Sequence, residues 1–252
     1  MRTIALFIVA ALLVAGGASA ASAKCKPIER ETTVCQDGRK ILRIIRQSIS
    51  PTKRYAVGWT VEDGKNAKAN QEMADLEEDQ RQADEPVGRS FSTENRDHVW
   101  NYLVRLSDGK ALKKLDGRHF GDRERYNHYT HQMFWSPDEK SFVQITNWRF
   151  GSSFASAYRI GPDGRVSEPA ALIPIARRSA LSRLNDQKET DYLTKADVTV
   201  DVAAIENDGT VKLSVGFAAP KDPSIDFNIT TKLKPAGRAL SADVTSIERQ
   251  KD

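Results

Sequence analysis

The chain runs to 252 residues and carries a net charge of +4, with 39% hydrophobic and 29% charged residues. That balance excludes wholesale disorder and is ordinary for a globular protein long enough to bury a real core. The positive excess is too mild for a nucleic-acid binder, which needs a concentrated basic face.

Met1 and Arg2 precede an uninterrupted apolar run over 4–14, and small residues follow at Ala18, Ala20, Ala21 and Ala23. This is the pattern of a secretory signal peptide over 1–23, cleaved after Ala20 or Ala23. The run is too short for a mature membrane helix, and no later stretch approaches the roughly 20 apolar residues that one needs. Lys24 stands where a lipid-modified Cys25 would want a small residue. The expected product is a periplasmic or secreted β domain over 24–252 with no membrane span. Its two cysteines, Cys25 and Cys35, are expected to form a disulfide in that oxidising compartment. Closing so short a loop contributes roughly 2.5 to 3 kcal/mol in the chain-entropy model. The spacing is not C-x-x-C, which argues against a redox-active pair.

The remaining chain is dominated by short alternating runs separated by turn residues, which predicts a mainly β protein of antiparallel four-stranded meanders. The first group takes in 40–49, the turn Ser50-Pro51-Thr52-Lys53, 55–61, 99–106 and 111–115. The second takes in 130–135, the turn Ser136-Pro137-Asp138-Glu139, 141–148, 154–160 and the chain from Arg165. The third takes in 198–205, the turn Glu206-Asn207-Asp208-Gly209, 210–217, 225–233 and 238–247. Proline presets φ in such turns, and Asp, Asn and Gly tolerate the tight conformations that follow. One meander cannot bury its own faces, so stacked copies must supply the core, as a propeller-like array or a β-sandwich.

Residues Trp135 to Lys140 read W-S-P-D-E-K, and this turn resembles that of periplasmic TolB-like and WD40-like β-propeller repeats; the segment at Ser50 to Lys53 is a weaker version. The resemblance implies a propeller-like scaffold for protein interaction and carries over no catalytic residues.

Two segments interrupt the pattern. A charged insertion covers 65–98, and within it 72–85 holds seven acids against the single base Arg81, the composition of a solvated helix or an excursion from the sheet. Residues 174–185 predict one short helix, with Pro174 in its first turn and Asn185-Asp186 at its end.

All four histidines fall between His98 and His131, and this is the best candidate for a site. His119, His128 and His131, near Asp122 and Glu124, bring together imidazole and carboxylate ligands suited to Zn²⁺ or Cu²⁺. Arg118, His119, Arg123, Tyr126, His128, Tyr129 and His131 mix aromatic and cationic groups in the way of binding surfaces. Nucleophile-elbow, zinc-protease, P-loop, dinucleotide and EF-hand patterns do not occur in the sequence. Asn228-Ile229-Thr230 forms a glycosylation sequon that matters only in a eukaryotic secretory route.

The expectation is therefore an exported, non-catalytic binding protein of the cell envelope whose partner is a protein or a glycan. The alternative is a metal- or His-dependent hydrolase built on the His98 to His131 region, with Ser152 as nucleophile.

Overall fold

The structure, a computed structural model, describes residues 25–27, 33–38, 40–61, 99–120, 130–219 and 222–250. The expected signal peptide and the charged insertion lie outside these residues. The protein is mainly β, with three antiparallel sheets in which strands follow one another in chain order.

The first sheet contains β1 (Cys25–Pro27), β2 (Thr33–Asp37), β3 (Lys40–Ile44), β4 (Tyr55–Val61), β5 (Val99–Arg105) and β6 (Lys110–Lys114). The second contains β7 (Thr130–Trp135), β8 (Ser141–Trp148), β9 (Gly151–Arg159) and the short β10 (Ala170–Ala171). Helices α1 (Leu172–Leu181) and α2 (Gln187–Lys195) lead to the third, made of β11 (Asp197–Ile205), β12 (Thr210–Ala219), β13 (Asp222–Ala236) and β14 (Ala239–Arg249).

The first sheet is larger than the four strands expected, because the N-terminal hairpin adds β1 and β2 at its edge. Cys25 stands directly opposite Cys35 across that hairpin, and the two form the expected disulfide. The sheet curls until Asp37, at the end of β2, accepts a hydrogen bond from the Ala111 amide of β6. Gly58 permits this curvature: a Cβ there would come within 2.9 Å of Val104 and 3.1 Å of Leu42. Cys35, Leu42, Ile44, Ala56, Tyr102 and Val104 fill the hollow.

The outer face of the curl packs on the second sheet through Val57, Trp59, Leu103, Leu115, Phe142 and Tyr158. The opposite face of the second sheet meets the third sheet and α1 through Val143, Ile145, Ala157, Leu172, Val200, Leu213 and Phe217. Burying each of these large side chains contributes roughly 1.5 to 3 kcal/mol. Along β11 burial alternates residue by residue, so the third sheet keeps its far face in water and the stack ends there.

One helix was expected over 174–185, and two are present. The chain does break where Asn185 and Asp186 predict it, but Asp186 opens the second helix, its carboxylate accepting from the Lys188 and Glu189 amides. Arg177 of α1 donates to the carbonyls of Leu193, Thr194 and Ala196, which satisfies the C-terminal end of α2.

The two Ser-Pro turns share one geometry. In each, the serine hydroxyl accepts from the amide five residues on, Tyr55 and Ser141 respectively. In each, the fourth residue is left-handed, Lys53 at φ 58° and Glu139 at φ 57°. The third turn substitutes glycine there, Gly209 at φ 87°.

Candidate functional site

These three turns gather at one end of the stack and fasten the sheets together. The Glu139 side chain, fully buried, accepts from the Thr52 amide and hydroxyl and from Arg54 Nε at 2.8 Å. Burial alone would raise its pKa; the Thr52 and Arg54 hydrogen bonds outweigh that and hold it below the ordinary carboxylate value. Arg54 also donates to the Asp138 carbonyl, and the Asp138 amide donates to Asn207 of the third turn. Trp135 adds a bond from its indole N–H to the Ser48 carbonyl.

The opposite end is built differently. The end of β4 at Val61 and the starts of β5 at Val99 and β7 at Thr130 lie on this side. On the second sheet, the face toward the first carries three cross-strand rows: Trp135–Phe142–Tyr158, then Met133–Gln144–Ser156, then His131–Thr146–Phe154. The first row is a close aromatic stack, with centroids 4.9 Å apart at each step. The rows beyond it turn polar while remaining buried.

The segment 115–120 lies over those polar rows. Asn101 fixes it by donating to the His119 carbonyl at 2.6 Å and accepting from the His119 amide at 2.8 Å. The Asp116 carboxylate accepts from Ser156 Oγ, and its amide donates to the Tyr158 hydroxyl, whose pKa burial pushes above the ordinary value. Gly117 sits so close that a Cβ would lie 2.4 Å from Gln144 Nε2 and 2.6 Å from Asn101 Oδ1. Beneath this strip His131 Nδ1 and Nε2, both amide atoms of Gln144 and the Thr146 hydroxyl are buried without a hydrogen-bond partner among the described residues. Each such group costs about 1 to 3 kcal/mol if left unmade. Desolvation lowers the His131 pKa to about 3, so the imidazole is neutral at any physiological pH.

His119 and His131 do come together, but inside the protein: they are 3% and 2% exposed. Their rings stack at 5.4 Å with 19° between planes. The ring nitrogens therefore point along nearly parallel planes, and a Zn²⁺ or Cu²⁺ ion shared between them would require one ring to turn. Among the described residues no group of three or more His, Cys, Asp or Glu side chains is placed to hold a metal. Arg118 is exposed, its guanidinium 4.4 Å over the Trp100 ring. His98, Asp122, Arg123, Glu124, Tyr126, His128 and Tyr129 lie outside the described residues. Ser152 is on the other face of the second sheet from His131, its hydroxyl donating to Asn147 and accepting from the Val200 amide.

At the rim, the β8–β9 hairpin presents Trp148, Arg149 and Phe150. Phe150 is 52% exposed, packs edge-on against Trp148 at 5.1 Å and lies under the Arg149 guanidinium. Gln144, Thr146 and Phe150 were not among the candidates read from sequence. A usable signal was present for two of them, since Gln144 and Thr146 share the inward phase of Phe142 on one strand.

Fold and site together define an antiparallel multi-sheet β protein with one fastened end and one end furnished with buried polar and exposed aromatic groups. No protein-family model matches this chain, and no curated protein matches it in sequence. Among the described residues no helix is long and apolar enough to cross a membrane.

Proposed function

We propose that the protein is an exported, non-catalytic binding module of the cell envelope that takes a protein or glycan partner at the end bearing His131 and Phe150. The observation that carries this reading is the asymmetry of the stack. One end uses its polar groups to fasten sheets, while at the other the buried His131, Gln144 and Thr146 polar atoms have no hydrogen-bond partner among the described residues, beside a hairpin tip that exposes Arg149 and Phe150. Exposed aromatic and arginine side chains are the usual anchors of interfaces, and loop ends on a rigid β scaffold are the usual place for them. The Cys25–Cys35 disulfide supports an oxidising compartment. The resemblance of the Ser-Pro turns to TolB-like and WD40-like repeats supports a scaffold role. The hydrolase alternative has less behind it, because Ser152 and His131 face opposite ways.

Photo-crosslinking residues placed at Phe150 and at Lys53 test this in envelope preparations. A discrete adduct at the Phe150 position, with none at Lys53 on the fastened end, is the expected result. Equal adducts at both, or none at Phe150, would remove the proposal.

A further inference from the structure

Deepening that reading, and resting on it, the geometry points to a neutral saccharide unit as the ligand of the neighbouring His131, Gln144 and Thr146 side chains. Three adjacent side chains, each more than nine-tenths buried, offer five polar atoms that have no hydrogen-bond partner among the described residues. Native proteins pair nearly all such atoms with protein, water or ligand, so a group of them on one sheet face marks a place where a polar partner is stabilised.

The chemistry of these side chains selects that partner. A neutral imidazole, an amide and a hydroxyl each donate and accept, and none carries charge. A ligand that both donates and accepts through several groups, without bringing a net charge into a dry interior, matches them; a carboxylate or an ammonium does not. The surroundings narrow the choice further. Phe154 ends the row containing His131 and Thr146, and Trp148 stands two residues beyond Thr146 on the same strand face. Both rings are only half-buried. Hydroxyls along one edge and an apolar C–H face for aromatic rings are the two features of a pyranose. The strip 115–120 covers these atoms, held by the Gly117 carbonyl and the His119 backbone on Asn101 and by Asp116 on Ser156, so a sugar reaches them only when the strip lifts.

Calorimetric titration of the mature protein with glucose, N-acetylglucosamine and their β-linked dimers, with glucuronate as the charged control, provides the test. The expected result is saturable binding of at least one neutral sugar, at least tenfold weaker binding of glucuronate, and at least tenfold loss in Thr146→Val and in Gln144→Leu. Both variants should unfold at or above the wild-type temperature, because each deletes an unpaired buried group instead of a made hydrogen bond. Binding of no neutral sugar, or binding indifferent to both substitutions, overturns the assignment. Variants that melt lower and bind no sugar show these side chains to be satisfied by internal water only, and also overturn it. A Phe150 crosslink that persists while sugars fail would sink the saccharide and leave the binding module standing.

Discussion

His131 shows how a single buried side chain can set an acid response. Its folded pKa, lowered to about 3 by desolvation, lies well below the ordinary value of 6.5. As pH falls below 6.5, the unfolded chain takes up a proton that the folded protein refuses until about pH 3. Folding stability therefore drops through that window at up to roughly 1.4 kcal/mol per pH unit from this residue. Between pH 6 and pH 5 the carboxylates, including Glu139 with its lowered pKa, stay ionised in the folded protein and add little slope. His131→Leu should flatten the slope measured by urea unfolding across pH 6 to 5. An unchanged slope would mean that the ring is hydrated and titrates freely.

At the scale of elements, α2 depends on its cap. Asp186→Ala removes the acceptor for two orphan amides and should cost about 1 kcal/mol in chemical denaturation, whereas Asp186→Asn should cost a few tenths. A null result for alanine would show that Arg177, gripping the other end of α2, is what holds it. The same residue marks where sequence reading succeeds and where it stops. Strands β11 to β14 are legible because burial alternates along β11 and β12 and glycine turns at Gly209 and Gly237 join the outer pairs. Asn185-Asp186 is ambiguous, because short polar residues that end one helix equally begin another, and only the tertiary fit of α1 and α2 decides. Strand β1, three residues long, has no periodicity to read; its place is fixed by pairing with Cys35. The buried cluster was half visible for a related reason. Histidines attract attention by type, but that His119 and His131 face inward, against Gln144 and Thr146, follows from a register that no local pattern encodes.

For the molecule as a whole, the contact between the first two sheets is graded along its length. At the turn end it is closed by the Glu139 hydrogen bonds, the Tyr55–Trp135 stack and the Trp135–Phe142–Tyr158 row. At the far end, the same contact holds the His131, Gln144 and Thr146 polar atoms, which have no hydrogen-bond partner among the described residues, so parting the sheets there exposes groups that water stabilises. The two sheets should therefore open as a hinge from the His131 end, with the Ser-Pro turns as its pin. A cysteine introduced at Thr146, near the opening end, should react with an external thiol reagent at least tenfold faster than one at Val57, near the pin, under native conditions. Glu139→Ala should cost about 1 to 2 kcal/mol, by removing the buried acceptor of the Thr52 amide and hydroxyl, while the half-exposed Arg54 turns to water. The same substitution should accelerate labelling at Val57 far more than at Thr146, because it releases the pin and leaves the already weak end as it was. Equal labelling at both sites in the parent protein would mean that the sheets separate only by global unfolding, and a ligand would then have to reach the polar rows some other way.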